Sequence, residues 1–159
     1  MAKRKRRKRT SSQVPAKGVL RDHADRLWSI AVRSDWNWTC AVCGSRSGQL
    51  DAHHLIPRGH EAVRYELRNG ICLCVHDHQW NNDLAPHLNA DGWVKWLVRN
   101  QPDLYCWYAK HNDPPPKFDG TKSVAYYIGI IQGLREYVEP EEFERVVGVR
   151  FSRYLEDHR

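Results

Sequence analysis

Cys40-Ala-Val-Cys43, Asp51-Ala-His53-His54-Leu55, Asn69-Gly-Ile-Cys72-Leu-Cys74 and His76-Asp77-His78 follow one another between residues 40 and 78. Four of the chain's five cysteines lie in this window. Two thiolates separated by two residues can turn onto one ion, and a tetrahedral site needs two further ligands. Cys74 is the third. A second CxxC starting at Cys74 would end at residue 77, where Asp77 stands with His76 beside it. Asp77 is therefore the first choice for the fourth ligand, His76 the second, and a three-ligand site the remaining option. Cys72 is read as a buried thiol. A redox CxxC would open a helix after a strand, whereas here Gly44 and a polar turn follow, as in a metal knuckle.

Outward from the window, residues 49–54 and 71–74 read as two short strands, separated by a loop that carries Pro57-Arg-Gly-His60. A helix is expected from His76 to about Leu84, stopped by Pro86. Two strands and a helix, each carrying metal-competent residues, make a ββα unit. Upstream, Leu20, Ala24, Leu27, Trp28, Ala31 and Val32 recur at helical spacing over 19–33. Downstream, Trp93, Trp96 and Leu97 mark another helix, and Asp103 is placed to cap a short one. Residues 113–120 are a Pro-rich linker. Helices follow over 121–138 and from Pro140 onward, and they form either a small subdomain or a dimerisation hairpin. The expected class is α+β, mostly helical. The expected division is a basic arm over 1–17, a metal-bearing domain over 18–112, the linker, and a C-terminal helical extension over 121–159.

Neighbouring strand residues face opposite ways, so one of His53 and His54 can face an ion while the other faces a substrate. Hydrolysis of a phosphodiester needs a deprotonated water and a cation on the phosphate oxygens. A neutral imidazole suits the first task at neutral pH. Its second nitrogen needs an orienting acceptor, which Asn69 or a backbone carbonyl can supply. On the expected helix His78 and Asn82 are four residues apart and share a face, so both can reach the ion held by His53. Arg58, Arg64 and Arg68, between the two halves of the motif, are candidates for phosphate contacts.

The pattern CxxC…DAHHLIPR…RNGICLC…H resembles the HNH family of ββα-metal nucleases. Within it, the chain is similar to phage-encoded HNH proteins, including NinG-type recombination nucleases. The resemblance is carried by Leu27-Trp-Ser, Val32-Arg33 and stretches at 40–44, 50–54, 64–67 and 69–74. It implies a metal-dependent endonuclease that hydrolyses DNA and leaves 5′-phosphates. His53 and His78 would be ligands of the catalytic ion, His54 the general base, and Asn69 the residue that positions loop and base. Cys40, Cys43, Cys74 and Asp77 would hold a structural zinc. Asp77 stands where a fourth cysteine is usual, and Asn82 where many members have another histidine. An amide in place of an imidazole suits Mg or Mn as the catalytic ion.

The charge fits this reading. Of 25 Lys and Arg residues, seven form the unbroken run Lys3, Arg4, Lys5, Arg6, Arg7, Lys8 and Arg9, which leaves 18 against 19 Asp and Glu. Such a run has nothing apolar to bury and is read as an arm that neutralises DNA phosphates, the alternatives being a solubilising tail or a nuclear address. No stretch is long and apolar enough for a membrane span, and no apolar segment follows the N-terminal charges as in a secretory signal. A cytoplasmic DNA-processing enzyme is expected, cutting once per site, so that a double-strand cut would need a homodimer. Two rivals remain: a non-catalytic zinc-stapled DNA-binding module, and a nuclease for RNA or a branched junction.

Overall fold

The computed structural model describes residues 14–158. The basic run Lys3–Arg9 lies outside them. The fold is α+β, with helices predominating around one two-stranded antiparallel sheet. Helix α1 (Lys17–Asp35) extends the expected 19–33 by about a turn. Leu20, Ala24, Leu27 and Ala31 on its stripe are fully buried, and Trp28 and Val32 widen that stripe. The width has a cause: α1 is covered from two sides. Strands β1 (Leu50–His54) and β2 (Gly70–Cys74) lie against one side. Helices α4 (Val124–Leu134) and α5 (Pro140–Val147) lie against another and bury Tyr127, Ile131 and Phe143 with Leu20 and Leu27. The C-terminal helices thus share a core with the helix that backs the sheet.

The strands pair with Leu50 opposite Cys74, Asp51 opposite Leu73 and His53 opposite Ile71. Ile71, Cys72 and Leu73 are buried without break. They are covered on both faces because α2 (Ala90–Asn100) packs Trp93 and Leu97 onto the side away from α1. Helix α3 (Pro102–Asn112) is α2's partner. Gln101, not Asp103, stands at its N-cap, and Pro102 opens its first turn. A Cβ on Gly70 would lie 2.3 Å from Val32 Cγ2 and 2.9 Å from Trp28 Cζ2, so glycine is what lets β2 approach α1 this closely.

After β2 the chain departs from the helix expected over 76–84. His76–Trp80 form one π-helical turn, closed by the Asn81 N–H donating to the His76 carbonyl at 2.9 Å. The helix goes no further because Asn81-Asn82-Asp83 is a run of turn formers. The Asn81 side chain accepts from the Asp83 N–H at 3.1 Å. Toward the C-terminus, the helix expected over 121–138 ends at Leu134 and passes into a 3-10 turn (Arg135–Tyr137). The final helix is divided at Gly148, whose φ of 83° breaks it into α5 and α6 (Val149–Asp157).

The 81–89 loop is held tightly against α2. Asn89 caps that helix by accepting from the Gly92 N–H at 2.8 Å, and its amide reaches the Asn82 carbonyl at 3.2 Å. A Cβ on Gly92 would fall 1.9 Å from the backbone oxygen of Asp83. Gly92→Ala would gain up to about 1 kcal/mol of helix propensity but must push the loop aside, at about 1–3 kcal/mol. The expected result is a lower melting temperature by thermal denaturation, together with a shift of His87, which this loop carries.

Candidate metal centres

Two clusters of ligand atoms flank the π turn. In the first, Cys40, Cys43, Cys74 and Asp77 bring one ligand atom each within 4.8 Å of one another. The knuckle is shaped by backbone. Gly44, at φ 72°, takes the left-handed turn, and its N–H donates to the Cys40 carbonyl at 2.9 Å. The Ala41 N–H donates to the Cys72 carbonyl at 2.9 Å and docks the knuckle on β2. Cys43 Sγ and Cys74 Sγ are 3.7 Å apart, and the Cys40 and Cys74 sulfurs each lie 3.3 Å from Asp77 Oδ2. Sulfur and oxygen ligands about 2.3 and 2.0 Å from one tetrahedral ion stand about 3.5–3.8 Å apart, so the donor set and its separations fit a metal. Asp77 Oδ1 accepts from Asn81 Nδ2 at 2.9 Å and lies 3.2 Å from His76 Nδ1. Burial opposes ionisation of Asp77, but hydrogen bonds from Asn81 and the thiols hold its carboxyl well below the usual range. His76 is mostly exposed and touches the carboxylate from outside the cluster. Cys72 is fully buried, takes no part in the cluster, and burial pushes its thiol up to about 11.

The second cluster is His53, His78 and His87. Their ring centroids form a triangle with sides of 5.1, 5.1 and 5.2 Å. His53 Nδ1 lies 3.2 Å from His78 Nε2, and two imidazole nitrogens about 2.0–2.1 Å from a tetrahedral ion stand about 3.3 Å apart. His53 comes from β1, His78 from the π turn and His87 from the 81–89 loop. Adjacent residues Asp77 and His78 thus serve different clusters, and the π turn is what separates them. Short π turns recur at functional sites. Burial, followed by the neighbouring His78 and His87 rings, pushes His53 down to about 3, so its imidazole is neutral at pH 7 and one of its two ring nitrogens has a free lone pair.

Asn82 is not among the residues that line the cleft around these rings. It is exposed, and its carbonyl accepts from Asn89. His87 occupies the place that helical spacing reserved for it. The π turn ends at Trp80, so positions 78 and 82 do not share a helical face.

His54 points the other way from His53, as strand alternation requires. Its ring stacks on Trp28 with centroids 3.6 Å apart and 14° between planes, while His53 sits edge-on to Trp93 of α2 at 5.9 Å. His54 Nε2 lies 3.0 Å from the Arg64 carbonyl. A carbonyl only accepts, so Nε2 carries the proton and Nδ1 is left as the basic nitrogen. Burial holds His54 near 4 against the opposing pull of that carbonyl, so the ring is neutral at pH 7.

The hydrogen bonds of the Asn69 side chain go to Ile56 and Val63 and not to His54. Fully buried, it accepts from the Ile56 N–H at 2.7 Å and donates to the Ile56 and Val63 carbonyls at 3.0 and 3.1 Å. It clamps the loop that follows His54, and the orienting acceptor is the Arg64 carbonyl. Arg64 itself is committed to Asp25 of α1, with contacts of 2.7, 2.8 and 3.0 Å, so it is a strut and not a free cation. Arg58 lies at the cleft and Arg68 is exposed outside its lining.

His53, His54, His78 and His87 line one cleft of about 580 Å³, walled by Pro57, Arg58, Pro86, Ala90, Trp93 and Tyr108. Among the described residues no helix is long and apolar enough to cross a membrane. Comparison of the chain with models of protein families, with curated proteins and with solved structures found no match.

Proposed function

We propose that the chain is a metal-dependent endonuclease of the HNH, ββα-metal type, hydrolysing phosphodiester bonds in DNA, with zinc at Cys40, Cys43, Cys74 and Asp77 as a structural staple. The carrying observation is the juxtaposition in one cleft of a three-imidazole cluster and a fourth, separately oriented imidazole, His54. His53, His78 and His87 would hold a divalent ion, which would supply positive charge at the phosphate oxygens and the departing 3′ oxygen. Three nitrogen ligands disfavour Mg²⁺, which prefers oxygen, so of the two expected ions Mn²⁺ is the better fit, although imidazole suits zinc better than either.

His54 takes a proton from water at Nδ1 as the water oxygen bonds to phosphorus. The bond from phosphorus to the 3′ oxygen breaks, leaving a 5′-phosphate and, once that oxygen is protonated from solvent, a 3′-hydroxyl. The Arg64 carbonyl and the Trp28 face fix the base, and Arg58 offsets phosphate charge at the lip. The N-terminal arm adds sequence-independent affinity for the polyanion.

The test is nicking of supercoiled plasmid by the zinc-loaded protein with Mn²⁺, Mg²⁺ or EDTA, beside duplex, branched DNA and RNA oligonucleotides. Mn²⁺-dependent nicking with 5′-phosphate ends is the expected outcome. Binding of DNA without any cut would replace the nuclease with a zinc-stapled binding module, and cleavage confined to RNA would change the substrate.

A further inference from the structure

Asp51 belongs to neither ligand cluster and has no place in the nuclease reading so far. It sits on β1 two residues before His53, hence on the same face of the strand. Asp51 Oδ2 lies 3.1 Å from His78 Nδ1, and its Oδ1 accepts from Gln49 Nε2 at 2.9 Å. One imidazole, that of His78, is therefore bracketed by two residues of the same strand face: Asp51 at Nδ1 and His53 at Nε2.

We propose that Asp51 is a positioning residue for the histidine site: it fixes the proton of His78 on Nδ1 and so presents Nε2, with its lone pair, to the ion. The inference rests on the reading of His53, His78 and His87 as a metal site. An ionised carboxylate has only acceptor capacity. The 3.1 Å contact therefore requires a proton on His78 Nδ1, and in the neutral ring this leaves Nε2 as the ligand nitrogen. The remaining contact then dictates the state of His53. With His78 Nε2 an acceptor, His53 Nδ1 must be the donor across 3.2 Å. One chain of contacts links these side chains: Gln49 to Asp51, His78 to Asp51 and His53 to His78. An ion held by Nδ1 of His53 and Nε2 of His78 would take the place of the last link and would need the His53 proton on its other nitrogen, whereas His78 would keep its tautomer. Such carboxylate–imidazole pairs orient the ring and raise its basicity as a ligand, and their loss typically weakens metal binding 10–100-fold.

The experiment uses the full chain loaded with one equivalent of zinc, for which the three thiolates compete best, and Mn²⁺ as the probe. Mn²⁺ affinity is measured by titration for the parent protein, Asp51→Ala and Asp51→Asn, with zinc content as the check that the hairpin is intact. In the Mn²⁺-free protein, long-range ¹H–¹⁵N correlation of the histidine rings reads the tautomer. The expected results are an Nδ1-protonated His78 in the parent, loss of that single tautomer in Asp51→Ala, and a 10–100-fold weaker Mn²⁺ affinity with zinc retained. Asp51→Asn keeps the shape but not the charge and falls between the two. Should Asp51→Ala lose its zinc, Asp51→Asn decides by the same criteria. Mn²⁺ affinity within twofold of the parent, or a His78 protonated at Nε2 in the parent, overturns the proposal. Failure of the parent itself to bind Mn²⁺ would instead overturn the metal reading of the three histidines.

Discussion

The proposed plasmid nicking is expected to fall by about 10²–10⁴-fold in His54→Ala, the usual worth of a positioned general base, while whatever Mn²⁺ and zinc the parent binds is retained. The separation of the two readouts follows from the strand. His53 and His54 are neighbours on β1, yet His53 turns toward His78, His87 and Trp93, and His54 toward Trp28. Removing the His54 ring deletes no ligand of either cluster. It does expose the Trp28 face and free the Arg64 carbonyl, but Trp28 keeps its own hydrogen bond to the Glu66 carbonyl at 3.0 Å. Arg64 keeps its bidentate pair with Asp25. The fold should lose about 1–2 kcal/mol at most, an ordinary figure for one partly buried side chain, and melting should move by only a few degrees. His54→Gln retains an amide that can still meet the Arg64 carbonyl but has no basic nitrogen, so it should be as inactive as the alanine variant and closer to the parent in stability. Nicking by either variant at the parental rate would remove His54 as the base, because no other imidazole in the cleft lies outside the metal cluster.

The contrast between what the chain's letters revealed and what they concealed is physical. The CxxC knuckle, Cys74 and Asp77 were readable because each pair keeps the spacing of a metal knuckle, Cys40 with Cys43 and Cys74 with Asp77, and one antiparallel strand pair brings the two together. His53 and His54 could be assigned to opposite directions from strand alternation alone. His87 was not legible. Its approach depends on the chain leaving the helix after Trp80, making turns through 81–89 and being pinned by the Asn89 cap and the close pass of Gly92. The signal that could have found it was Asn81-Asn82-Asp83 with Pro86, four residues that argue for turns where helical spacing was assumed, followed at once by a histidine. The Arg64 carbonyl left no trace at all, since a backbone acceptor is independent of residue type. The C-terminal helices could be placed as helices but not as partners of α1, because their apolar stripes say that a face is covered and not by what.

Removing the zinc proposed at the thiolate cluster should have the larger effect on the molecule as a whole. Binding to the native state alone stabilises by about 4 kcal/mol when free ion exceeds the dissociation constant a thousandfold, which for a chain of this size is a melting shift of roughly 10 °C. Chelation, or Cys40→Ser at the most buried of the three thiols, should produce a loss of that order. Cys43→Ser at the exposed one should produce less. The damage should be local in origin. The knuckle touches the sheet through Ala41 and Cys72 and touches the π turn through Asp77, whereas the core of α1, α4 and α5 contains no cysteine. Helical circular dichroism should therefore survive in large part at temperatures where the histidine site has already lost its Mn²⁺ affinity. That loss is the sharper consequence, because Asp77 and His78 are consecutive. Once Asp77 Oδ2 is no longer tied to the thiolates, the π turn that sets His78 opposite His53 loses its anchor on one side, and the two sites should empty in order, thiolate site first. Zinc content by mass spectrometry, Mn²⁺ titration and thermal melting on the same samples test this. Unchanged Mn²⁺ affinity in a zinc-free, Cys40→Ser protein would mean that the hairpin stands without its staple, and that the histidine cleft owes its shape to the α1 and α2 packing alone.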